Sequence, residues 1–224
     1  MLGRYIVSKQ VTFKSRVRET AIKYADQYRS YFVDKSYLLI SDAFKNKSHY
    51  IVKAEATNYL HLLGVSTSLS PKDFYNKCLH GELQEDDFEL SFHGRDAKSS
   101  KGSIRQKILT FPNMFGILSS ANLVEEDFSK NVVRCTFATS EGSCTLGFIA
   151  TPHARPMTLL HGDELDHSNA QPLKLVLAKN RSDEHFSQII VGSEADAVAY
   201  YDLLKAQITP ELATRISNQT EHKE

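Results

Sequence analysis

One stretch near the middle of the chain, NVVRCTFATSEGSCTLGFIA (residues 131–150), restricts the possible folds more than any other. Apolar and polar residues alternate on both sides of Glu141–Gly142, and this two-residue period is that of two β-strands joined by a tight turn. The predicted cross-strand pairs are Cys135 with Phe148, Phe137 with Leu146, and Thr139 with Cys144. The chain must therefore contain an antiparallel hairpin with one core-facing side.

The two faces of this hairpin have different compositions. The face that carries the cysteines and phenylalanines is apolar and should be buried. The other face carries Arg134, Thr136 and Thr145, and Gly147 leaves room there for the backbone of a ligand to approach. A free cysteine is often a nucleophile, but Cys135 and Cys144 on an apolar face are better explained as inert buried thiols.

Helical patterns dominate the part of the chain before the hairpin. Aromatic and apolar residues recur every three or four positions over residues 10–32, which predicts one long amphipathic helix whose aromatic stripe contacts the core. In SLSPKDFYNKCLHG (68–81), Ser70 and Pro71 are typical of a helix start and Gly81 of its end. Residues 104–118 predict a helix that ends or is interrupted near Pro112.

The remaining segments complete the predicted element order. Short strands are expected at 36–41, 156–165, 172–180 and 185–193, an extended segment or hairpin at 49–65, a polar loop at 86–103 and a closing helix at 194–208. Helices followed by an antiparallel sheet define an α+β fold. The predicted division is an N-terminal helical segment (1–34), a folded domain (35–208) and a frayed C-terminal tail (209–224).

Composition excludes several classes of protein. The chain has 224 residues, 41% hydrophobic and 24% charged, which is typical of a globular protein, and it has no apolar run long enough to span a membrane. Its first residues, MLGRYIVSKQ, lack the apolar core of an export signal. Three cysteines without CxxC spacing exclude a disulfide framework. We therefore expect a cytoplasmic protein without a membrane partner.

The net charge is zero, but its sign changes along the chain. Residues 1–60 contain 11 Lys/Arg and 5 Asp/Glu, a net charge of +6, whereas residues 111–224 contain 9 and 15, a net charge of −6. A basic front half is expected if one surface faces a polyanion or a protein partner. Solvation by mixed surface charge is the simpler alternative.

Known cofactor and metal motifs are missing from the sequence. It contains no glycine-rich phosphate loop, no dinucleotide fingerprint, no HExxH and no GxSxG. The stretch PHARPMTLLHGDELDH (152–167) is rich in histidine and aspartate, but it has no second matching cluster. We predict neither a metal site nor a cofactor.

His61 lies in NYLHLLGV (58–65), an otherwise apolar run. Burying it would require a hydrogen-bond partner, so it is either a satisfied core residue or the titrating group of an active site. Metal-free cleavage of a phosphodiester needs a group that titrates near neutral pH, fixed cations and a small hydrogen-bond donor. Histidine, lysine or arginine, and threonine supply those roles. The residues alone leave both interpretations of His61 open.

The order of several segments resembles a known family. The segments are YLLISDAFKNKSHYIVKAEATNYLHLLGV, LSPKDFYNKCLHGEL…DDF, IRQKI…GILSSANL, TLGFI and RPMTLLHGDEL. Over roughly residues 35–192 they resemble predicted nucleases of phages and mobile elements, the phage barnase–EndoU–colicin–RelE-like group, and within it the fourth subfamily. The resemblance implies a RelE/barnase-like sheet and a toxin-like, metal-independent ribonuclease with RNA as its substrate.

This resemblance gives each candidate site residue an expected role. His61 is the candidate general base or acid, Arg105 and Lys107 are the candidates for stabilising charge on the phosphate, and Thr145 is the candidate donor. The residues expected to hold the RNA backbone are Lys45, Lys47, Lys53 and Arg134. A cognate inhibitor or a phage protein is a further expected partner. The alternative is a non-enzymatic module that binds RNA or a protein.

Overall fold

The computed structural model describes residues 12–91 and 97–221. Its helices are α1 (Phe13–Tyr28), α2 (Tyr59–Leu63), α3 (Pro71–Leu79), α4 (Ala97–Thr110), α5 (Glu194–Ala197), α6 (Tyr201–Leu204) and α7 (Pro210–Glu221). Its strands are β1 (Lys35–Ser41), β2 (Tyr50–Val52), β3 (Leu123–Glu126), β4 (Ser129–Lys130), β5 (Val133–Arg134), β6 (Phe137–Ser140), β7 (Cys144–Ala150), β8 (Ala154–His161), β9 (Gln171–Asn180) and β10 (Gln188–Val191). The predicted α+β class is confirmed.

The large sheet closes on itself. Its strand order is β1-β2-β8-β7-β6-β3-β9-β10, and β9 also pairs with β1, so that seven strands form a ring with β10 attached to β9. All pairs in this sheet are antiparallel except β2 and β8, which run parallel where Val52 pairs with Ala154. The strands of residues 131–192 pair with one another antiparallel, as predicted, and the parallel junction involves β2, which lies outside that range. Strands β4 and β5 form a separate small hairpin.

Helices cover the sheet on two sides. Buried residues of α1 recur at helical spacing, at Val17, Ala21, Ala25 and Tyr28, and share the main core with α2, α3, α4 and one face of the sheet. This confirms that the aromatic stripe of the first helix contacts the core. Helices α5, α6 and α7 cover the opposite face of β1 and β9. Both faces of β1 are consequently buried, which explains its nearly continuous apolar sequence.

Most predicted helix and strand positions agree with the structure. Helix α1 continues as a π-helical turn over Arg29–Val33, and α3 starts as expected because the Ser70 hydroxyl accepts a hydrogen bond from the Asp73 amide. Helix α4 ends at Thr110, before Pro112. The first residues of the predicted 10–32 helix and of the 1–34 segment lie outside the described residues.

Three segment predictions are wrong. Within 49–65 only β2 is extended, and the NYLHLLGV segment forms α2, which ends where Gly64 adopts a left-handed conformation. The polar segment 86–103 already enters α4 at Ala97, although residues 92–96 of the predicted loop lie outside the described residues. The predicted frayed tail instead forms α7, because Leu212 and Ile216 are buried in the core below β1 and β9.

The central hairpin exists with a different register. Phe137 pairs with Phe148 and Thr139 with Leu146, a shift of two residues that keeps each of these side chains on its predicted face. Cys135 is the exception. The chain is irregular between β5 and β6, and Cys135 is buried on the opposite face, beside Gly147. A Cβ atom at Gly147 would lie 2.5 Å from the Cys135 Sγ atom, so this site holds a side chain of the protein rather than a ligand backbone.

Candidate active site

A groove of about 480 Å³ lies between α2, α4, β8 and the small β4–β5 hairpin. The lining residues are His61, Gly64, Ser100, Ser103, Lys107, Val132, Val133, Arg134, Cys135, Met157, Thr158 and Leu160. Three of the predicted site residues, His61, Lys107 and Arg134, therefore meet in one groove. They come from three different elements, α2, α4 and β5.

The position of His61 follows from the local sequence. Helix α2 buries Tyr59, Leu60, Leu62 and Leu63, so His61 is the residue of this short helix that is exposed. The imidazole therefore faces the groove rather than the core. This placement removes the interpretation of His61 as a buried core residue.

Partial burial of the ring in the groove and the nearby Lys107 ammonium lower the pKa of His61. Burial is the larger cause, because it disfavours the charged imidazolium, and the lysine charge acts in the same direction. At neutral pH the ring is accordingly neutral and able to accept a proton. The lowered pKa agrees with the behaviour expected of a general base.

Lys107 reaches His61 across Gly64. The Lys107 ammonium donates a hydrogen bond of 3.1 Å to the main-chain carbonyl of His61. A Cβ atom at residue 64 would lie 2.8 Å from Cδ and 3.1 Å from Cε of Lys107. Gly64 thus both ends α2, with a φ angle of +74°, and provides the space through which the lysine side chain passes.

Arg134 lines the groove from β5, in the small hairpin. Its Nη1 atom donates hydrogen bonds of 2.7 Å to the Asn131 carbonyl and 2.9 Å to the Val133 carbonyl. These bonds hold the exposed guanidinium beside the hairpin turn. The adjacent Val132 is 79% exposed and Met157 is 41% exposed, so the groove has an apolar rim formed by these two side chains.

Two of the predicted catalytic residues do not join the groove. The Arg105 guanidinium lies over the ring of Phe13 on α1, 5.4 Å from its centroid. Thr145 does point away from the hairpin's main-core face, but it is fully buried, and its hydroxyl donates to the Gly162 carbonyl and accepts from the Glu164 amide. Neither group is placed to contact a substrate beside His61.

The predicted backbone-binding lysines lie elsewhere, around β2. Lys45 donates to the Asp42 carbonyl at 2.6 Å, and the Lys47 ammonium lies 5.7 Å from the centre of the Tyr50 ring. Lys53 lies 3.3 Å from a ring nitrogen of His153. Of the four residues predicted to hold the RNA backbone, only Arg134 lines the groove.

Hydroxyl groups of the groove were missed in the sequence. Ser103 and Thr158 line the groove and are both partly exposed, so either can donate to a substrate oxygen in the role expected of Thr145. Ser103 precedes Lys107 by four residues, and residues at this spacing share a helix face. That signal was present in SSKGSIRQK, but assigning residues 86–103 to a loop concealed it.

Metal-binding groups are not clustered in the part of the chain that is described. Among residues 12–91 and 97–221, no group of three or more His, Cys, Asp or Glu side chains is arranged to hold a metal ion. In the His/Asp-rich stretch 152–167, His167 and Asp163 pair with each other at 2.8 Å. None of the helices in those ranges has both the length and the hydropathy to cross a membrane.

A family model for the phage-Barnase-EndoU-ColicinE5/D-RelE like nuclease 4 family matches residues 22–153, more than half of the chain. The chain belongs to this family. No curated protein and no solved structure is significantly similar to it. Family membership supports a nuclease function in general and hence a nucleic acid as the substrate.

The matched range of this nuclease family contains the charged part of the groove. It begins within α1 and ends just before β8, so His61, Lys107 and Arg134 lie inside it. Met157 and Thr158, which complete the groove wall, lie beyond it. The recognition of the family from segment order is confirmed.

Proposed function

We propose that this protein is a ribonuclease that cleaves RNA without a metal ion, by attack of a ribose 2′-hydroxyl on the adjacent phosphate. The observation that carries the proposal is the meeting of His61, Lys107 and Arg134 in one groove. A neutral imidazole and two cations are the groups that this reaction requires. Family membership supplies independent support for nuclease chemistry.

In the proposed reaction, His61 accepts the proton of the 2′-hydroxyl while its oxygen attacks phosphorus. Lys107 and Arg134 stabilise the negative charge of the pentacoordinate phosphorane, and the Ser103 hydroxyl donates to a phosphate oxygen. The bond to the 5′-oxygen then breaks, and this oxygen takes a proton from the His61 imidazolium or from water. The products are a 2′,3′-cyclic phosphate and a 5′-hydroxyl end.

The test is incubation of the purified protein with RNA in a metal chelator, followed by mass spectrometry of the products. We expect 2′,3′-cyclic phosphate ends, and no cleavage of a strand whose only scissile nucleotide is 2′-deoxy. His61→Ala should lower the single-turnover rate by roughly 10²–10⁴-fold. Its melting temperature should change little, because the side chain is exposed.

The matched control is His80→Ala, another exposed histidine, which lies at the end of α3 away from the groove lining. Its cleavage rate should equal that of the wild type. RNA that is bound but stays intact in the chelator would instead support the alternative, a non-enzymatic binding module. The apolar rim at Val132 would then serve as a contact surface for the bound partner.

The pH dependence of cleavage provides a second check. Because the pKa of His61 is lowered, the ring stays neutral, and therefore active as a base, to a lower pH than an ordinary histidine. The rate should fall on the acid side at a pH below about 6.5. If the rate already declines above a pH of about 6.5 as the pH is lowered, the result would contradict the assigned role of His61.

We also propose the finer properties that the family name suggests. These are an origin in a phage or mobile element, a toxin-like role with a cognate inhibitor, and a RelE/barnase-like arrangement within the closed sheet. Growth arrest on induced expression, relieved by His61→Ala, is the expected outcome in a bacterial host. Unimpaired growth with active enzyme present would contradict the toxin-like role.

A further inference from the structure

A second cavity, of about 310 Å³, lies beside the parallel junction of β2 and β8. Its lining residues are Lys47, Ser48, His49, Tyr50, Ile51, Pro152 and His153. The parallel pairing of Val52 with Ala154 brings the segments that precede the two strands to the same side. His49 and His153, more than one hundred residues apart in sequence, therefore face the same cavity.

Cations surround both imidazoles. The Lys53 ammonium lies 3.3 Å from Nε2 of His153. Burial is the largest cause that lowers the pKa of His153, followed by Lys53 and then Arg181. Burial, and then Lys47, lower the pKa of His49. Burial, and to a smaller extent Lys53, lower the pKa of Lys179 on β9, which is separated from β2 by β1.

The nearby carboxylates are already engaged. Glu55 pairs with Arg181 at 2.6 Å, and the Glu126 carboxylate accepts hydrogen bonds from the Tyr50 hydroxyl and from the Lys45 amide. The Ser48 hydroxyl lies 3.1 Å from Nδ1 of His49. The cavity therefore concentrates positive charge and hydrogen-bond donors without a matching carboxylate among its lining residues, which is the environment of an anion site.

We propose that this cavity binds a phosphate group of the nucleic-acid strand away from the cleaved bond, with His49 and His153 taking up protons as the phosphate binds. Strand β8 links the two sites, since it begins next to His153 and reaches the groove at Met157. Four residues of a strand span about 13 Å, a distance that a few nucleotides bridge. The nucleic-acid source of the phosphate rests on the proposed ribonuclease function.

Proton uptake sets the sign of the pH dependence. Both rings are neutral in the free protein at neutral pH, and a bound phosphate raises their pKa because it favours the charged form. Affinity should therefore increase as the pH falls from 8 to 6. Burial and Lys47 oppose protonation of His49, and burial, Lys53 and Arg181 oppose protonation of His153. The bound phosphate offsets the charge of these cations.

The first measurement is an NMR titration of the histidine Cε1–H signals against pH, with and without inorganic phosphate. We expect phosphate to raise the pKa of His49 and His153 by at least half a unit, with assignments from His49→Gln and His153→Gln. Lys53→Gln should reduce the shift, whereas the exposed Lys72→Gln on α3 should leave it unchanged. No shift at either ring would overturn the proposal, and this measurement does not depend on cleavage.

The second measurement separates a strand phosphate from free phosphate. For a non-cleavable 2′-deoxy-containing hexanucleotide, His153→Gln should weaken binding about fivefold to tenfold at pH 6 and less at pH 8. The kcat/KM for a cleavable hexanucleotide relative to a dinucleotide should also fall in this variant. If the cavity binds inorganic phosphate but His153→Gln changes neither the hexanucleotide affinity nor the kcat/KM ratio, the bound phosphate does not come from the nucleic-acid strand.

Discussion

The contact between Lys107 and His61 depends on Gly64, and Gly64→Ala is the change that tests it most directly. The added methyl group would lie 2.8 Å from Lys107 Cδ, closer than van der Waals contact allows. Because the Lys107 side chain is flexible, it moves aside in the variant, and its ammonium group withdraws from the His61 carbonyl. The variant thus displaces the cation proposed to stabilise the phosphorane without removing its charge.

Two effects on stability have to be separated. An alanine at a φ angle of +74° costs about 1–2 kcal/mol, since its Cβ atom meets the following carbonyl. The lost hydrogen bond from Lys107 adds about 1 kcal/mol, less than the roughly 1.5–3 kcal/mol typical of a charged donor, because the groove is open to solvent. Gly64→Ala should therefore lower the free energy of unfolding by about 2–3 kcal/mol, and a domain of ordinary stability stays folded.

Gly81→Ala is the matched control. Gly81 has nearly the same φ angle, +73°, and an added Cβ atom would meet nothing within 4 Å. It should show the backbone cost alone, about 1–2 kcal/mol, with the cleavage rate of the wild type. The difference between the two variants isolates the displacement of Lys107.

Denaturant unfolding and single-turnover cleavage of the same RNA measure the two quantities. We expect Gly64→Ala to cleave about 10-fold to 100-fold more slowly than Gly81→Ala. This loss is smaller than that from deleting a transition-state donor, because the displaced charge stays nearby. In a Lys107→Met background the rate difference between the two glycine variants should vanish. Equal rates for Gly64→Ala and Gly81→Ala would show that the position of Lys107 has no role in the reaction.

Three further outcomes follow from the packing and the charge. Gly147→Ala should destabilise the fold by about 1–3 kcal/mol in thermal unfolding, because its Cβ atom would lie 2.5 Å from Cys135 Sγ. Adding Cys135→Ala should recover part of this stability, and no recovery would show that another contact is limiting. Leu212→Ala should cost about 2–5 kcal/mol in denaturant unfolding, whereas a loss below 0.5 kcal/mol would mean that α7 does not contribute to the core. RNA affinity, measured by fluorescence anisotropy, should fall steeply between 50 and 200 mM salt, and a flat dependence would favour a protein partner.

Alternation in residues 131–150 was sufficient to predict the central hairpin, but not its details. A two-residue shift leaves every side chain on its face, so hydrophobic pattern alone does not distinguish the two registers. Cys135 changed faces because Thr136 interrupts the strand: the Thr136 amide bonds to the Phe148 carbonyl, and its hydroxyl accepts from the Ala150 amide. Such a local irregularity has no signature in the spacing of apolar residues.

The misassigned segment 49–65 has a related cause. YLHLL is only five residues long, and an apolar run of that length fits a strand or a helix equally well. Gly64 was the available stop signal for a helix. Once the segment is helical, four of its residues turn towards the core and His61 towards the groove, so the correct secondary structure would have excluded a buried core position for this histidine.

Helix geometry decides which of the predicted site residues lie in the groove. Arg105 and Lys107 were predicted as a pair, but residues two apart on a helix point about 160° away from each other, so only one of them can face the groove. Ser103 and Lys107, four apart, share that face. The sequence contained this information, and a helical assignment from Ala97 onwards would have replaced Arg105 with Ser103.

The pairing of His49 with His153 was beyond sequence reasoning for a different reason. His49 and His153 each precede a strand by one residue, and two such residues come together only if those strands are neighbours and run in the same direction. A predicted antiparallel sheet places the starts of adjacent strands at opposite ends, and so it separates these rings. The single parallel junction between β2 and β8 reverses that result. The second cluster of cations therefore depends on the one strand pairing that departs from the rest of the sheet.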